Sequence, residues 1–420
     1  MRRSAVLLAA VLLTACGTTA PQSQTSQGPK KVTIEYWNLS TTEPLKTYWA
    51  DVIKQYMSEH PNVTIKNVAI ENDAYKPKLA TLTQSGKVPD LFATWGGGVL
   101  KQQIDAGLVK DLSDLSGAGF TSASLAAYQF DGKTYGLPTD IGMVGFWYNK
   151  KLFAKAGIDQ PPATWAALLD DVGKLKAAGI TPIALAGKAK WPGHYYWAYL
   201  VMRIGGLQVL QQATTSHDFT GPDFVAAGQR LKELAALDPF QKGFLNADYS
   251  TPDGQAATMG KGKAAMELMG QWAPNVEKDS GGGIGDDLGF FPFPTVDGGK
   301  GAATDAFGGG GGLSVGVNAP PETLDFLKWA LTEPIHSKAV KVGGVLPVLK
   351  GEESAVTDKN IKIVADQLNA STGFQLYLDQ AYPPAVGQEV NDSVAQLIAG
   401  KMTPEDVAKQ VTETAKTEAE

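Results

Sequence analysis

The sequence predicts an α/β protein with two lobes, and three observations lead to this prediction. Strand-like and helix-like segments alternate in two successive series, a pattern typical of mostly parallel sheets covered by helices. The chain has 420 residues, which is too long for a single hydrophobic core. Its most apolar run, residues 4–15, is too short to cross a bilayer and lies at the N-terminus.

The first series of elements occupies the N-terminal third of the chain. Its strands are marked by alternating or continuous apolar residues, and its helices by apolar residues three and four positions apart. An Asp131–Gly132 pair within 128–138 predicts a hairpin turn. The predicted strands are 31–37, 63–70 and 89–96, and the predicted helices are 45–57 and 73–85.

The second series begins at residue 142 and is interrupted by glycine-rich segments at 281–285 and 298–312. Thr164 is the expected N-cap of its first helix. The predicted strands are 142–149, 181–187, 288–293 and 311–318, and the predicted helices are 164–179, 321–332, 354–369, 386–399 and 404–418.

The N-terminus has the features of an export signal. Arg2 and Arg3 precede the apolar run, which ends in small residues just before Cys16. The tetrapeptide LTAC (13–16) resembles a bacterial lipobox, whose cysteine carries a lipid and becomes the first residue of the mature protein. We therefore expect a signal peptide at 1–15, a lipid anchor at Cys16 and a flexible tether at 16–30.

Composition excludes several classes of protein. Cys16 is the single cysteine, so a disulfide or a paired-cysteine metal site is ruled out. The four histidines are scattered, and we expect neither a metal nor a cofactor. The net charge is −6 without a basic cluster, which argues against nucleic acid as a partner.

Several stretches together carry a resemblance to a known family. PDLFATWGGG (89–98), DGKTYGLPTDIGMVGFWYNKKLFAKAGI (131–158), GKAAMELMGQWAPNV (262–276) and VAQLIAGKMTPEDVAKQV (394–411) occur in an order and spacing similar to the family 1 extracellular solute-binding proteins of ABC transporters. The best-known member of that family is maltose-binding protein. The resemblance extends over nearly all of residues 31–418.

The resemblance implies a two-lobed periplasmic-binding-protein fold of the maltose-binding type, with a ligand held in the cleft between lobes joined by hinge crossovers. It also implies a monomeric, non-enzymatic subunit on the periplasmic or cell-surface side, delivering its ligand to ABC permease subunits. We expect lobe 1 at 31–139 and 289–343, and lobe 2 at 140–288 and 344–420. The expected crossovers lie near 138–142, 286–294 and 340–347.

Candidate ligand-binding residues follow from their positions. In open α/β sheets, ligands bind beyond the carboxyl ends of the strands, so polar and aromatic residues after a strand or at a crossover are favoured. We place Trp191 in a loop, with a helix starting at His194 and Trp197 in its core-facing stripe. The glycines around Gly310 either allow close backbone approach or form a plain loop. The candidates are Trp37, Glu43, Trp95, Asp140, Trp191, His194, Trp272, Asp305 and Gly310.

The residue types at these positions favour a sugar ligand. Flat aromatic rings suit the apolar faces of a pyranose, and carboxylates and amides suit its hydroxyls. Zwitterionic ligands call for an arginine clamp, and the nearest arginine to these segments is Arg203. A second alternative is a secreted carbohydrate-active enzyme, which needs a pair of carboxylates. Its candidate acids are Glu43, Asp140, Asp305 and Glu389.

Overall fold

The structure is a computed structural model that describes residues 30–117 and 119–419. The predicted signal peptide, Cys16 and the tether up to residue 29 lie outside the described residues. Within the described residues, no helix has both the length and the apolar character needed to span a membrane.

The strands of the described residues are distributed over four sheets. In chain order they are β1 (Val32–Asn38), β2 (Val63–Ala69), β3 (Leu91–Thr94), β4 (Gln129–Phe130), β5 (Lys133–Thr134), β6 (Leu137–Pro138), β7 (Gly142–Met143), β8 (Gly145–Asn149), β9 (Thr181–Ile183), β10 (Ala264–Met269), β11 (Leu288–Phe291), β12 (Asp305–Gly309), β13 (Gly312–Val315) and β14 (Gly373–Leu376).

The α-helices of the described residues alternate with the strands and dominate the C-terminal part. They are α1 (Leu45–Glu59), α2 (Asn72–Gln84), α3 (Gly97–Asp105), α4 (Ser122–Leu125), α5 (Lys150–Lys155), α6 (Trp165–Ala177), α7 (Trp191–Gly205), α8 (Leu207–Ser216), α9 (Pro222–Ala236), α10 (Gln255–Gly260), α11 (Ala273–Gly281), α12 (Glu322–Ala330), α13 (Glu333–Lys341), α14 (Lys359–Asn369), α15 (Leu378–Ala381), α16 (Pro384–Ile398) and α17 (Pro404–Ala419).

The first lobe is built on a five-stranded sheet with the order β2-β1-β3-β13-β6. β1 runs parallel to β2 and β3, whereas β13 runs antiparallel to β3 and β6. Buried residues of β1, α1, α12 and α13 form the core on one face. A smaller cluster around Tyr75 and Phe92 packs on the other face. Helices thus cover both faces of the sheet, as the alternating pattern predicts.

The second lobe contains two sheets, with the orders β11-β8-β10-β9 and β14-β12-β7. One continuous core joins them to α6, α7, α9, α16 and α17. Helix α7 is buried along most of its length and passes through the middle of this core. The fold is therefore the two-lobed α/β arrangement that the sequence predicts.

The lobe boundaries differ from the predicted ones at two places. β11 pairs antiparallel with β8, and β12 pairs with β7 and β14, so residues 288–309 belong to the second lobe and not to the first. Residues 345 and 348–355 still pack in the first-lobe core, and the chain returns to the second lobe by α14. The prediction was wrong because it assumed parallel sheets, whereas β11 pairs antiparallel with β8 and β12 pairs antiparallel with β7.

The crossovers therefore lie at 139–141, 310–311 and 346–358. The first matches its predicted position, while the second lies about twenty residues later than expected. Glycine is required where crossover segments touch, because a Cβ at Gly310 would lie 1.9 Å from the carbonyl oxygen of Asp140. The backbones of the first and second crossovers thus touch at Asp140 and Gly310.

Two local predictions are confirmed by the backbone. Asp131 and Gly132 connect β4 and β5 with φ angles of 51° and 77°, as the primed turn of a two-residue hairpin requires. Thr164 caps α6, because its hydroxyl accepts a hydrogen bond from the amide of Ala167 at 3.2 Å. The preference of Asp-Gly for tight hairpin turns and of threonine for helix N-caps thus made the turn and the start of α6 predictable.

Candidate functional site

A cavity of about 280 Å³ lies between the two lobes. Both lobes contribute to its wall, and the crossover residues Thr139, Asp140, Gly310 and Gly311 form part of its lining. The cavity therefore occupies the cleft that the sequence predicts. Six of the nine candidate residues line it, namely Glu43, Trp95, Asp140, Trp191, Trp272 and Gly310.

The wall contributed by the second lobe is aromatic. Its rings pack against one another at centroid distances of 5.2 to 6.2 Å, either stacked or inclined. Such a cluster presents both flat faces and edges to the cavity. Its members are Trp191, Tyr195, Tyr249, Trp272 and Tyr377.

The opposite wall, from the first lobe, is rich in charged and amide side chains. These groups come from the end of β1, the segment before α1 and the first turn of α2. This wall also has aromatic rings, from Tyr36, Tyr48, Trp49 and Trp95. The ammonium group of Lys76 lies 5.3 Å from the ring centroid of Trp95. The polar members are Asn38, Glu43, Glu71, Asn72, Asp73 and Lys76.

Trp272 has the position that the sequence predicts. It follows β10 by three residues and is the N-cap residue of α11. Its six-membered ring lies on Gly270, where a Cβ would be 2.3 Å from the ring. The edge of Tyr377 contacts it at a centroid distance of 6.2 Å. The indole is half-buried and lines the cavity, so part of its surface is available to a ligand.

His194 does not line the cavity, which corrects its prediction as a ligand-binding residue. Helix α7 begins at Trp191, three residues earlier than predicted, so Trp191 is the first helical residue and not part of a loop. Tyr195, one turn later, shares the cavity-facing side with Trp191. His194 is fully buried, and burial lowers the pKa of its imidazole to about 4.

Trp37 also lies outside the cavity lining. In β1, Tyr36 and Asn38 line the cavity, whereas Trp37 between them points to the opposite face and contacts Tyr75. Side chains alternate between the faces of a strand, so one strand cannot present all three to the same cavity. The prediction of Trp37 was right about the end of β1 and wrong about the face of the strand on which its side chain lies.

Asp305 is the third candidate outside the cavity lining. It begins β12 in the second lobe, and its carboxylate accepts a hydrogen bond from the amide of Ala302 at 3.1 Å. Its carbonyl oxygen is one of four that accept hydrogen bonds from the guanidinium of Arg203. Asp305 therefore stabilises a turn, and Arg203 is occupied by backbone carbonyls.

Asp140 connects the crossovers. One carboxylate oxygen accepts a hydrogen bond from the amide of Leu346 at 2.8 Å, and the other from the side-chain amide of Gln271 at 2.5 Å. Burial raises the pKa of Asp140 to about 7, against the opposing effect of these hydrogen bonds. Asp140 lines the cavity, and its two bonds link the first crossover to the third and to the second lobe.

A buried histidine–glutamate pair lies beside the same crossovers. The Nδ1 atom of His336 is 2.8 Å from a carboxylate oxygen of Glu352, and its Nε2 atom is 2.9 Å from the carbonyl oxygen of Thr139. The amide of Leu349 donates a further hydrogen bond to Glu352. These contacts join α13 of the first lobe to the first and third crossovers.

Three side-chain bonds cross from the first lobe to the second at one end of the cavity. All three start within six residues, at the beginning of α2. They are Glu71 to the hydroxyl of Ser250 at 3.1 Å, Asp73 to the indole N–H of Trp191 at 3.0 Å, and Lys76 to Asp379 at 2.6 Å. We call this set the interlobe latch.

The backbones of the two lobes also meet near the latch. A Cβ at Gly97 would lie 2.3 Å from the carbonyl oxygen of Gln380, and one at Gly98 would lie 2.4 Å from the backbone of Tyr382. Glycine at both positions therefore lets α3 approach α15 closely. In this contact and in the interlobe latch the two lobes touch each other, so the lobes are in a closed arrangement.

The Lys76–Asp379 ion pair is expected to favour this closed arrangement. Burial is the largest influence on the pKa of Asp379 and would raise it, but the charge and hydrogen bond of Lys76, together with other neighbours such as Asn391, outweigh burial and the net shift is downward. Lys76→Met leaves Asp379 buried without its cation, so closure should become less favourable, by less than the about 3–5 kcal/mol of a fully buried pair because Lys76 is partly exposed. Small-angle scattering should then give a larger radius of gyration than for the wild type.

Lys101→Met is the matched control for this variant, because Lys101 forms an exposed ion pair with Asp105 within the single helix α3. Its radius of gyration should equal that of the wild type. Equal radii for Lys76→Met, Lys101→Met and the wild type would show that the latch does not hold the lobes together.

Sequence reasoning missed several residues of the cavity wall. Tyr377 directly follows β14, so the same strand-end rule would have found it if β14 had been predicted. Asp73 and Lys76 lie in the first turns after β2, another strand end. Tyr249 lies in an irregular segment between α9 and α10, and no pattern in the sequence marks it.

The charged groups of the cavity do not form a metal centre. Within residues 30–117 and 119–419, no three histidine, cysteine, aspartate or glutamate side chains come together in the way that a metal ion requires.

Comparison with known proteins places this architecture in a family. The model of the family described as bacterial extracellular solute-binding protein matches residues 39–335. The diacetylchitobiose binding protein of Streptomyces coelicolor is 28% identical over 391 residues, which cover 90% of this chain and 88% of that protein. The multiple sugar-binding protein of Streptococcus mutans is 27% identical over 368 residues, or 84% and 82% of the two chains.

Solved structures agree with this relationship. A structure from work on xylan utilization by the thermophilic bacterium Caldanaerobius polysaccharolyticus superposes with a TM-score of 0.85 at 30% identity, covering 91% of this chain and 99% of the other. A chitin oligosaccharide binding protein superposes with a TM-score of 0.84 at 25% identity, covering 92% and 98%. The family match, the two-lobed fold and the cavity between the lobes lead to one conclusion: this chain belongs to the bacterial extracellular solute-binding proteins.

Proposed function

We propose that this protein binds a sugar or oligosaccharide in the cleft between its lobes and delivers it to the membrane subunits of an ABC transporter. The observation that carries the proposal is the composition of the two cavity walls. Aromatic rings and amides line the second-lobe side, while carboxylate, amide and ammonium groups together with further aromatic rings line the first-lobe side. Pyranose rings need both, since their C–H faces are apolar and their edges carry hydroxyls.

The relatives support the same ligand class. Two of them are called diacetylchitobiose binding protein and multiple sugar-binding protein, and a structural relative is a chitin oligosaccharide binding protein. Each is similar to this chain over more than four fifths of its own length. The ligand of this chain is accordingly proposed to be a carbohydrate, and its sugar units are a question for the experiment below.

The zwitterionic alternative has little support in the cavity. A carboxylate ligand calls for a fixed arginine, and Arg203 directs its guanidinium to four backbone carbonyls in the second lobe. Lys76 is the cation of the cavity wall, and it is paired with Asp379. Neutral polyhydroxyl ligands fit these surroundings better than amino acids or peptides do.

The enzymatic alternative needs two free carboxylates across a substrate. Of the four acids considered, Asp305 and Glu389 do not line the cavity. Both oxygens of Asp140 accept hydrogen bonds from Leu346 and Gln271, and Glu43 accepts two from Thr47. This arrangement supports binding in preference to glycoside hydrolysis.

We further propose that Cys16 anchors the protein to the membrane by a lipid. The basis is the LTAC sequence after an apolar run. In the native cell, Cys16→Ser should move the protein from the membrane fraction to the soluble fraction. A variant that stays in the membrane fraction to the same extent as the wild type would contradict a lipid anchor.

A thermal-shift panel tests the proposed function. Xylobiose, N,N′-diacetylchitobiose and maltose are compared with glycylglycine and free amino acids. A ligand present at a hundred times its dissociation constant stabilises the folded state by about 2.7 kcal/mol, which gives a clear increase in Tm. We expect such an increase for at least one sugar. Stabilisation by a peptide or an amino acid, with none by any sugar, would refute the proposal.

A further inference from the structure

A strained backbone turn lies immediately before the cavity residue Trp191. The turn is centred on Lys190, whose φ and ψ angles are 67° and −48°. It is closed by a hydrogen bond of 2.8 Å from the amide of Trp191 to the carbonyl oxygen of Ala189. A hydrogen bond between residues two apart, with these angles at the central residue, defines the γ-turn of positive φ. This turn is rare and strained when its central residue is not glycine.

The residue type separates Lys190 from the other non-glycine residues of positive φ. In the part of the chain that the structure describes, those are Asp131, His217 and Asp238. Aspartate and histidine enter the region of positive φ more readily than most residues, and lysine does not share this preference. Asp131 lies in a hairpin turn and His217 is the C-cap of α8, where such a conformation is common. The conformation of Lys190 must therefore be imposed by its surroundings.

The second lobe holds the chain on both sides of Lys190. Before the turn, the amide of Lys188 donates a hydrogen bond to the carbonyl oxygen of Ala247 at 3.1 Å. After the turn, α7 begins and passes through the core of the lobe. The ammonium group of Lys190 is 2.6 Å from a carboxylate oxygen of Asp392 on α16. These three contacts keep the strained turn in place.

We propose that Lys190 is a positioning residue, whose strained turn directs the indole of Trp191 to the cavity and to Asp73 of the first lobe. The indole N–H donates to Asp73 at 3.0 Å, which is one of the three bonds of the interlobe latch. The ring also lines the cavity and packs against Tyr195 and Tyr249 at centroid distances of 5.6 and 5.2 Å. The effect on sugar affinity rests on the proposed function, whereas the effect on the latch does not.

The physical argument is that the turn sets the direction of the residue that follows it. If φ of Lys190 relaxed to a negative value, the chain before the turn could not absorb the change without losing the bond between Lys188 and Ala247. The later turns of α7 are held by the core, so the change would fall on its first residue, Trp191. A displaced indole would lose both its bond to Asp73 and its place in the cavity wall.

Glycine and valine at position 190 separate the turn from the side chain, because both remove the ion pair with Asp392. Glycine adopts positive φ readily, whereas the branched side chain of valine strongly disfavours it. Lys190→Gly should keep the Tm at or above the wild-type value, since the lost ion pair is partly exposed. Its affinity for the panel sugar that stabilises the wild type most should stay within about threefold, whereas Lys190→Val should bind that sugar about tenfold more weakly in calorimetry.

His217→Gly and His217→Val are the matched controls, because His217 has a φ of 54° and lies outside the cavity lining. The valine control should have a lower Tm than the glycine control, and the two should bind sugar equally. If Lys190→Val likewise changed the Tm alone, the turn would contribute only to stability and the inference would be refuted. A tenfold loss of affinity in Lys190→Gly would assign the effect to the lysine side chain and would also refute it.

A Trp191→Ala background tests whether the effect passes through the indole. In that background Lys190→Gly and Lys190→Val should bind sugar equally, and a remaining tenfold difference would contradict the inference. A wild type that binds none of the three sugars would overturn the proposed function alone. Small-angle scattering of the ligand-free protein would then decide the inference. Lys190→Val should have a larger radius of gyration than Lys190→Gly, and equal radii would overturn it.

Discussion

Trp272→Ala is expected to weaken sugar binding by at least about thirtyfold, or 2 kcal/mol. The indole lies at the start of α11 with one part of its surface on Gly270 and another part facing the cavity. A pyranose stacked on it would bury its apolar face against the ring, and alanine would remove nearly all of that contact area. Titration calorimetry of the variant measures the loss of affinity directly, with the sugar of the thermal-shift panel that stabilises the wild type most.

The same substitution should lower the Tm of the ligand-free protein only moderately, because Trp272 is half-buried, with one part of its surface packed on the second-lobe core and another facing the cavity. Trp329→Ala is the matched control, since Trp329 is also half-buried and packed on a lobe core but does not line the cavity. That control should lower the Tm and leave the affinity unchanged. A large decrease in Tm for Trp272→Ala with full sugar affinity would identify Trp272 as a core residue and refute its assignment to the ligand.

Glu277→Gln is expected to make the protein more stable at alkaline pH. Glu267 on β10 and Glu277 on α11 are buried together in the second lobe, at 0% and 1% exposure. The side-chain amide of Gln255 donates to one oxygen of Glu267 at 2.8 Å, and the two carboxyl groups bond to each other, which requires a proton on one of them. Burial raises the pKa of Glu267 to about 7, and burial and repulsion by Glu267 raise that of Glu277 further.

The sign of the effect follows from proton linkage. The unfolded chain releases these protons near pH 4.5, the ordinary value for glutamate, while the folded protein keeps them to about pH 7 or above. The contribution of this pair to the free energy of unfolding is therefore fully present below pH 4.5 and decreases as the pH rises towards 7 and above. Each proton that the folded state retains and the unfolded chain releases contributes a slope of about 1.4 kcal/mol per pH unit.

The glutamine variant removes one of the two titrations and the repulsion between the acids. Its Tm should exceed that of the wild type by several degrees at pH 8, and the difference should be smaller at pH 5. Glu413→Gln, on an exposed position of α17, should follow the wild type at both values. Parallel pH profiles for the wild type and Glu277→Gln would contradict the buried acid pair.

Much of the fold could be predicted because its local patterns are strong. The period-two strand β1, the continuously buried strand β3, the capped helix α6 and the hairpin at Asp131–Gly132 each depend on residues close together in the chain. The lobe boundary near 289 was wrong because it depends on a long-range contact. The composition of β11 is compatible with either lobe, and its antiparallel pairing with β8 places it in the second lobe.

The site was predicted in part for the same reason. A rule that selects the ends of strands found Trp95 and Trp272, because Trp95 directly follows β3 and Trp272 follows β10 by three residues. It could not separate Trp37 from Tyr36 and Asn38, since a one-residue shift reverses the face of a strand. Contacts between distant segments, such as that of Asp73 with the indole of Trp191, depend on how the two lobes meet, so they had to come from the structure.

Titration calorimetry of the wild-type protein with the three panel sugars tests directly whether the cleft binds a sugar. We expect one binding site per chain for at least one sugar. We also expect a negative heat-capacity change, because aromatic faces are buried in the complex. Binding should be lost or strongly weakened in Trp272→Ala. If every sugar gave titration heats no larger than its heat of dilution, and a peptide or amino acid bound with measurable affinity, the proposal that this protein binds a sugar would be contradicted.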